Sequence, residues 1–477
     1  MKGDPRLRIL EGSLPIEVAR FGAPIAVGMG LQTLFNLVDA YLIGHLEPEL
    51  AHPALGAIGI CDQLAALGTI ISYGLTVATT ALVSRRHGQG DMEGVKHIAW
   101  QSLLIVLGLS AVLGLVGTLG ANVLLRDVIG AKGQVAELGT DYLRVLMGGS
   151  FSIFLLLHVT SLMRALGSSK TPVSLLIGAN ALNLVLAVLL VYGPGPAPAP
   201  LAWGPPIARA LGIPRLELQG AAWATLIARC LALAPALFVL VNRFGLFGKG
   251  ARGPADFAAM RNVAGLAWPS SVQLVLRVAG MLFVQSLGAR AFTTETDQTI
   301  TTALGIAFRL ETMALFVALG WGSAAQTFVG QNLGAQKPAR AMGAGHYAAL
   351  YAAAMMLGLA IWYRASGASI VAFFDSDPGV VATALTYFSW VGFSYVGLGI
   401  GIVLGSAVQG AGATRRALVL DGAIVVVFQL PACLIVGFAE GATFQHLAMV
   451  VAATYAAFAV VHLVHYRRGR FLDTLAA

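Results

Sequence analysis

The sequence predicts an all-helical integral membrane protein with twelve transmembrane helices arranged in two six-helix bundles. Three observations support this prediction: only 11% of the 477 residues are charged, 57% are hydrophobic, and long apolar segments recur along the whole chain. Soluble domains carry about 25% charged residues, so a soluble fold of this size would lack the charge to cover its surface. Recurrent apolar segments instead indicate helices that cross a bilayer.

Twelve apolar segments form the predicted helices, and most exceed the length needed to cross the hydrocarbon core. Glycine and proline are frequent along the chain, and transmembrane helices tolerate both residues better than soluble helices do. The predicted helices cover residues 19–44, 54–84, 97–123, 137–165, 171–193, 218–243, 258–288, 299–328, 341–363, 379–409, 416–438 and 443–466.

Lysine and arginine residues are unevenly distributed between the loops. With the N-terminus inside, cytoplasmic segments hold nineteen of these residues and the outer loops hold six. Because loops rich in these residues stay cytoplasmic, the bias predicts that both termini are cytoplasmic, which agrees with an even number of helices. The same bias accounts for the formal net charge of +8, so no nucleic-acid partner is expected.

Two loops differ from the others. The outer loop at 193–217 is rich in proline and is predicted to be extended, either as a tolerated insertion or as a partner site. The Gly-rich, basic segment 245–256 is predicted to be a cytoplasmic linker. It divides the chain into an N-lobe at 1–244 and a C-lobe at 257–477.

The two halves resemble each other at a nearly constant offset. Pro24 corresponds to Pro269, and Gly167 corresponds to Gly412, each pair 245 residues apart. Gly88 corresponds to Gly334 at an offset of 246 residues, and the run 54–56 corresponds to 303–305 at an offset of 249. Parallel repeats of this kind place a substrate site between the bundles and work by rocking one bundle against the other.

A polar stripe runs along the first helix. Gln32, Asn36 and Asp39 are spaced at i, i+4 and i+7, which places them within about 40° of one another on one helix face. A carboxylate inside the membrane is costly and is a functional candidate. Because proton binding relieves this cost, Asp39 is predicted to take up a proton from outside and exchange it during transport. The alternatives are a structural carboxylate and, for Pro24 in the same helix, a static kink instead of a moving bend.

Other side chains in the spans allow two interpretations each. Asn180 and Asn183, one turn apart, can hydrogen-bond Asp39 or a cation, or they can serve only in helix packing. Methionines such as Met29 and Met281 are candidates for an adaptable pocket, with helix packing as the equal alternative.

The remaining intramembrane charges favour structural roles. Asp62 and Glu311 occupy matching places in the repeat, and an ion pair with another helix is favoured over ion coupling for both. Arg229 and Arg277 are interpreted as charge-compensating or snorkelling side chains. Asp421 is interpreted as structural because it lies near the cytoplasmic end of its helix.

The sequence does not support enzyme chemistry. It contains no Walker A loop and no His/Cys cluster with metal spacing, and its three cysteines lie inside apolar segments without close pairing. No enzymatic activity, metal or cofactor is therefore expected.

Seven segments of the chain resemble the multidrug and toxic compound extrusion (MATE) family, closest to its DinF-like branch. One of them contains the run NLVDAYLIGHL around Asp39, and together they span nearly the whole chain in the family's order. The segments are residues 22–46, 81–94, 142–172, 218–225, 268–273, 303–336 and 403–417.

The resemblance implies two lobes that form a V around a cavity, and export of amphipathic, often cationic compounds driven by inward flow of H⁺ or Na⁺. It implies that Asp39 is the N-lobe acid whose protonation is tied to a bend at Pro24. Asn183 and Thr225 resemble members of the same polar site. The candidate residues for the substrate cavity are Gln32, Met29, Gln273, Met281 and Glu311.

The chain departs from the family pattern at one position. Family members often carry a second acid four residues after the asparagine, where this chain has Ala187. The loss of a hard oxygen ligand weakens a Na⁺ site, so H⁺ coupling through Asp39 is predicted, with Na⁺ as the alternative.

The predicted protein is a monomer in the bacterial inner membrane, with small amphipathic or cationic molecules and membrane lipids as partners. The alternative functions are a lipid-linked saccharide flippase of the same superfamily and a membrane scaffold or sensor that transports nothing. The polar stripe at Asp39 argues against the scaffold, because such a charge is costly without a use.

Overall fold

The computed structural model describes residues 5–248, 251–294 and 297–475, with the backbone alone at 34–37, 40 and 473–475. Across these ranges the chain is helical without a β-strand, and twelve spans are long and apolar enough to cross a membrane. The predicted fold class and number of membrane helices are thus confirmed.

The helices are numbered here in chain order. They are α1 (Pro5–Glu11), α2 (Leu14–Gly44), α3 (Pro48–Gln89), α4 (Met92–Val123), α5 (Gly133–Gly148), α6 (Ser150–Ala165), α7 (Lys170–Tyr192), α8 (Gly204–Leu211), α9 (Glu217–Phe244), α10 (Phe257–Phe292), α11 (Thr299–Gly334), α12 (Pro338–Phe374), α13 (Pro378–Val391), α14 (Tyr395–Gly410), α15 (Thr414–Gly422), α16 (Leu430–Phe438) and α17 (Phe444–Arg467).

Several spans consist of two consecutive helices. α5 meets α6 at Gly149, and a 3₁₀ turn at Gly392–Ser394 joins α13 to α14. A π-helical turn at Ala423–Gln429 joins α15 to α16, where Pro431 lacks the N–H that a regular helix would use. Apolar length alone predicts each of these spans correctly but does not reveal the break.

The prediction that the Pro-rich outer loop is extended is wrong, because the loop contains the short helix α8. Pro205 and Pro206 lie in the first turn of α8, where the missing N–H groups are not needed. Gly212 ends the helix in the left-handed conformation, with φ of +66°. Proline content alone therefore misjudged the local structure.

Two membrane helices are longer than their apolar segments. α3 begins at Pro48 and α12 begins at Pro338, before the predicted starts at 54 and 341. Both prolines occupy the first turn, where a fixed φ favours helix initiation. α12 also continues to Phe374, past the predicted end at 363, so both helices extend beyond the segment that hydropathy marks.

The two lobes pack together around the first half of α2. Val18, Phe21 and Ile25 are buried in the apolar cluster formed mainly by the C-lobe. Leu42 and Ile43, from the second half of the same helix, belong to a separate apolar cluster of the N-lobe. The first membrane helix therefore joins the lobes at one end and serves only the N-lobe at the other.

Repeat-related glycines bring the lobes into close contact. Gly88 on α3 packs against the carbonyl of Gln331 on α11, and Gly334 on α11 packs against the carbonyl of Arg85 on α3. Neither position leaves room for a Cβ atom. The side chain of Gln331 also donates a hydrogen bond of 2.7 Å to the carbonyl of Ala165. The glycine anchors of the repeat thus mark a symmetric junction between the lobes.

Candidate functional site

A chain of polar side chains links three helices of the N-lobe. Thr225 Oγ1 on α9 donates to Asn183 Oδ1 on α7 at 3.2 Å. Asn183 Nδ2 in turn donates to Asp39 Oδ1 on α2 at 3.4 Å. Because its carbonyl oxygen accepts from the threonine, the amide presents its N–H₂ group to the carboxylate. The structure thus brings together three residues that the sequence predicts to share one site.

Further charged groups act on this polar chain. Asp39 interacts electrostatically with Arg229 on α9 and with Asp62 on α3. Asp62 in turn interacts with the hydroxyl of Tyr142 on α5. The carboxylates of Asp39 and Asp62 outnumber the guanidinium of Arg229, so these groups carry one net negative charge when all are ionised.

The sequence pattern does not place Asp62 beside Asp39, because they lie on different helices. The sequence does indicate that Arg229 belongs to this site. Arg229 follows Thr225 by four residues and therefore lies on the same face of α9. Arg229 thus faces two carboxylates, in agreement with its interpretation as charge-compensating.

The other predicted residues of the first and fifth spans lie elsewhere along α2 and α7, and no hydrogen bond joins them to Asp39, Asn183 or Thr225 within the described residues. Asn180 and Gln32 are partly buried, and neither side chain has a hydrogen bond within the described residues. The side chain of Asn36 lies outside the described residues. Pro24 lies inside the continuous helix α2, and Met29 packs against the C-lobe apolar cluster.

Two candidates for the substrate cavity lie instead inside the C-lobe. Gln273 and Glu311 are each 1% exposed, so neither lines a cavity in this conformation. Glu311 accepts hydrogen bonds from the hydroxyls of Tyr387, at 2.9 Å, and Tyr455. Within the described residues no ion pair includes Glu311, contrary to the ion pair favoured for it. Met281 is partly buried against the same C-lobe apolar cluster.

A second buried cluster surrounds Asp421 in the C-lobe. Arg277 Nε lies 2.6 Å from Asp421 Oδ2, and His462 Nε2 lies 2.7 Å from Asp421 Oδ1. Gln273 accepts a hydrogen bond of 2.6 Å from Gln409 beside this cluster. The side chains of Asp421 and His462 are completely buried. This geometry agrees with the interpretation of Asp421 as structural and of Arg277 as charge-compensating.

Two helical lobes related by a repeat, with a partly buried acid and its polar partners in one of them, are typical of secondary transporters. The MatE family model matches residues 24–189 and again residues 270–435. The chain therefore belongs to the MATE family, and the double match confirms the internal repeat.

Known proteins of similar length resemble the chain along most of its sequence. Probable multidrug resistance protein YpnP of Bacillus subtilis is 25% identical over 414 residues, which cover 86% of each chain. An FAD transporter of Shewanella oneidensis is 25% identical over 419 residues, covering 87% of this chain and 86% of the relative.

Among solved structures, an outward-facing multidrug resistance MATE family transporter superposes with a TM-score of 0.84 at 22% identity. The match covers 100% of this chain and 99% of that structure. At this identity the likeness establishes the fold and not the substrate.

Proposed function

We propose that this protein is a proton-coupled antiporter that exports amphipathic, cationic compounds, with Asp39 as the coupling residue. The observation that carries the proposal is the hydrogen-bonded chain from Thr225 through Asn183 to Asp39. The similarity to YpnP, whose name assigns it to multidrug resistance, supports drug export.

The charge balance around Asp39 explains why a cation and a proton would compete. With Asp39, Asp62 and Arg229 ionised, one negative charge remains to attract a cation. A proton on Asp39 cancels that charge. A unit charge about 4 Å away is worth roughly 4 kcal/mol at an effective dielectric of about 20, an upper limit of roughly a thousandfold in affinity. Proton entry would therefore expel the cation, as antiport requires.

The hydrogen bond from Asn183 offers a route from protonation to helix movement. A hydrogen bond to a carboxylate is about twice as strong as one between neutral groups. A proton on Asp39 therefore weakens the link between α2 and α7. Pro24 cannot donate to the carbonyl four residues earlier, so α2 is easiest to bend at that point. We infer that α2 bends when Asp39 is protonated and that the lobes then rock.

The surroundings of Asp39 favour H⁺ over Na⁺. Ala187, which replaces the second acid of the family pattern, is fully buried in the N-lobe apolar cluster. Asn183 Oδ1 already accepts from Thr225. Since Na⁺ is a hard cation that needs several oxygen ligands, a proton is the better fit to Asp39, whose neighbour Asn183 has its oxygen engaged and whose second carboxylate, Asp62, is balanced by Arg229.

Efflux from proteoliposomes under separate ion gradients tests the proposal. Wild-type protein is expected to export a fluorescent cation when a pH gradient is imposed without Na⁺. Efflux that follows a Na⁺ gradient alone would overturn proton coupling. Asp39→Asn is expected to reduce proton-driven efflux to background. The matched control is Asp141→Asn, which changes a partly exposed carboxyl group of the same lobe outside the polar site and is expected to retain efflux.

Export of an anionic flavin compound is a second candidate. The Shewanella oneidensis relative is named an FAD transporter, and Arg229 supplies a cation beside Asp39. The net negative charge nevertheless favours a cationic substrate. If the same vesicles transported FAD faster than the fluorescent cation, the anionic flavin would be the preferred substrate. A lipid-linked saccharide flippase or a scaffold would export neither compound.

The protein would insert with both termini on the same side of the membrane and would act as a monomer. Both termini would lie in the cytoplasm, because nineteen lysines and arginines then fall in cytoplasmic segments. The protein would need no cofactor besides the coupling ion. A tag added after residue 477 is expected to react with antibody only in permeabilised spheroplasts. Reaction in intact spheroplasts would contradict the topology.

A further inference from the structure

A basic cavity of about 640 Å³ lies at the C-lobe end that is predicted to be cytoplasmic. It is formed by the start of α10 and by the loop that joins α14 to α15. Three arginines line it, Arg261, Arg415 and Arg416, and none of the lining residues is acidic. Arg261 and Arg415 take part in no ion pair within the part of the chain that the structure describes. The cavity therefore attracts an anion.

The N-terminus of α15 contributes to the same cavity. The first N–H groups of a helix have no partner within the helix, and they carry a partial positive charge. Ala413, at the N-cap position, has no side-chain oxygen; its carbonyl accepts from the Arg416 N–H, which leaves the N–H groups of Thr414 and Arg415 without a partner among the described residues. Gly412 turns the chain into α15 with φ of +85°. Uncapped N–H groups at a helix start are suited to bind phosphate.

Thr414 supplies an independent indication of a ligand. It lines the cavity, its side chain is 0% exposed, and its hydroxyl has no hydrogen-bond partner among the described residues. A buried hydroxyl without a partner costs about 1–3 kcal/mol. The positive-inside rule explains arginines on this face of the protein, but it does not explain an unsatisfied hydroxyl among them. Because the hydroxyl has no accessible surface, a bound acceptor oxygen would satisfy it once the Thr414 side chain turned toward the cavity.

The internal repeat offers a comparison within the molecule. Gly167 occupies the equivalent turn of the N-lobe, with φ of +87°. There α1 covers the turn, since a Cβ atom on Gly167 would lie 3.1 Å from side-chain atoms of Pro5 and Ile9. At Gly412 such an atom would meet nothing within 4 Å. The same turn is therefore closed in the N-lobe and open in the C-lobe.

We propose that this cavity is a binding site for a phosphoryl anion, held by the three arginines, the Thr414 hydroxyl and the first N–H groups of α15. The guanidinium fork matches phosphate geometry. Phe257 on α10 and Val419 on α15 are 79% and 68% exposed, so apolar side chains that suit acyl chains lie on both helices. The phosphoryl group can thus come from an anionic phospholipid or from free phosphate.

Binding by the full-length, delipidated protein in detergent tests the site. The probes are phosphatidylglycerol, phosphatidylcholine with the same acyl chains, and inorganic phosphate, with bound ligand measured by native mass spectrometry and thermal shift. Wild-type protein is expected to bind phosphatidylglycerol at least tenfold more tightly than phosphatidylcholine if a lipid is the source. Tight binding of inorganic phosphate with no preference between the lipids identifies the free anion as the source.

The variants separate this site from general surface charge. Arg261→Gln with Arg415→Gln is expected to weaken binding of the preferred probe at least tenfold. Thr414→Val, nearly equal in shape, is expected to weaken it several-fold while the protein folds normally. The matched control is Lys170→Gln, which removes the cation at the position equivalent to Arg415 in the N-lobe. Unchanged binding in the first two variants, or an equal loss in the control, would overturn the proposal.

Discussion

The two lobes both place an acid among their membrane helices, but they surround it differently. Asp39 in the N-lobe is partly buried and receives one hydrogen bond, of 3.4 Å, from the neutral amide of Asn183. Asp421 in the C-lobe is completely buried, with Arg277 at 2.6 Å and His462 at 2.7 Å. An acid with close partners on both oxygens fixes the helices that hold it. An acid with one long hydrogen bond remains available to a proton. The difference favours a structural role for the C-lobe acid and supports the coupling role that we propose for the N-lobe acid.

The largest expected effect is on the stability of the C-lobe cluster. Asp421→Asn leaves Arg277 as a buried charge without compensation, which typically costs about 3–5 kcal/mol. Asp39→Asn is expected to change stability by less than about 1 kcal/mol, because the amide oxygen can still accept from Asn183 and Asp62 still compensates Arg229. Thermal unfolding of the two variants in the same detergent measures this contrast. Equal destabilisation by both would contradict the assignment of separate roles.

A double variant sharpens the same comparison. Arg277→Met combined with Asp421→Asn removes both charges, and the introduced amide side chain can still bond to His462. We expect the double variant to be about 1–3 kcal/mol less destabilised than the sum of Asp421→Asn and Arg277→Met, a coupling typical of residues in contact. Thermal unfolding of wild type, Asp421→Asn, Arg277→Met and the double variant completes this double-mutant cycle. If the two single effects simply add, the pair does not form the ionic contact described.

The next effect concerns the polar chain of the N-lobe. Thr225→Val removes the hydroxyl that orients Asn183 toward Asp39. A hydrogen bond of about 1 kcal/mol corresponds to roughly a fivefold loss in proton-driven efflux. The control is Thr454→Val in the C-lobe, whose hydroxyl bonds at 2.8 Å to a carbonyl of its own helix. Efflux assays that show equal losses in both variants would assign the effect to helix packing.

The smallest expected effect lies outside the membrane, at the ion pair between Glu47 and Arg215. The hydrogen bonds from Arg215 lower the pKa of Glu47 from 4.5 to about 2. Because this pKa is lowered in the folded state, the stabilisation is present above pH 4.5 and is lost as the pH falls toward 2.

A comparison of single variants isolates this pair. The unfolding temperature of wild-type protein is expected to fall slightly more than that of Glu47→Gln between pH 6 and pH 3. Both side chains are partly exposed, so solvent screening keeps the difference small. Glu49→Gln, which changes a neighbouring glutamate without an ion pair among the described residues, should behave as wild type. Parallel curves for wild type and Glu47→Gln would show that the pair contributes nothing.

The sequence by itself determined the membrane class, the twelve spans, the repeat and the stripe that contains Asp39. Each depends on composition or on spacing within one helix, and the 1.5 Å rise with 3.6 residues per turn converts such spacing directly into position. The family resemblance was also visible in the sequence, because seven short segments occur in the family's order. The length of an apolar segment also predicted α2 and α9 closely.

Only the tertiary structure decided which groups meet. Arg277 reaches Asp421, and Tyr455 reaches Glu311, across 144 residues in both cases. Spacing along the chain carries no information about such contacts, because helix packing decides which faces meet. The same packing buried Glu311 among tyrosine hydroxyls and left the turn at Gly412 open. The position of an acid was therefore readable from the sequence, whereas its role depends on partners that only the folded chain supplies.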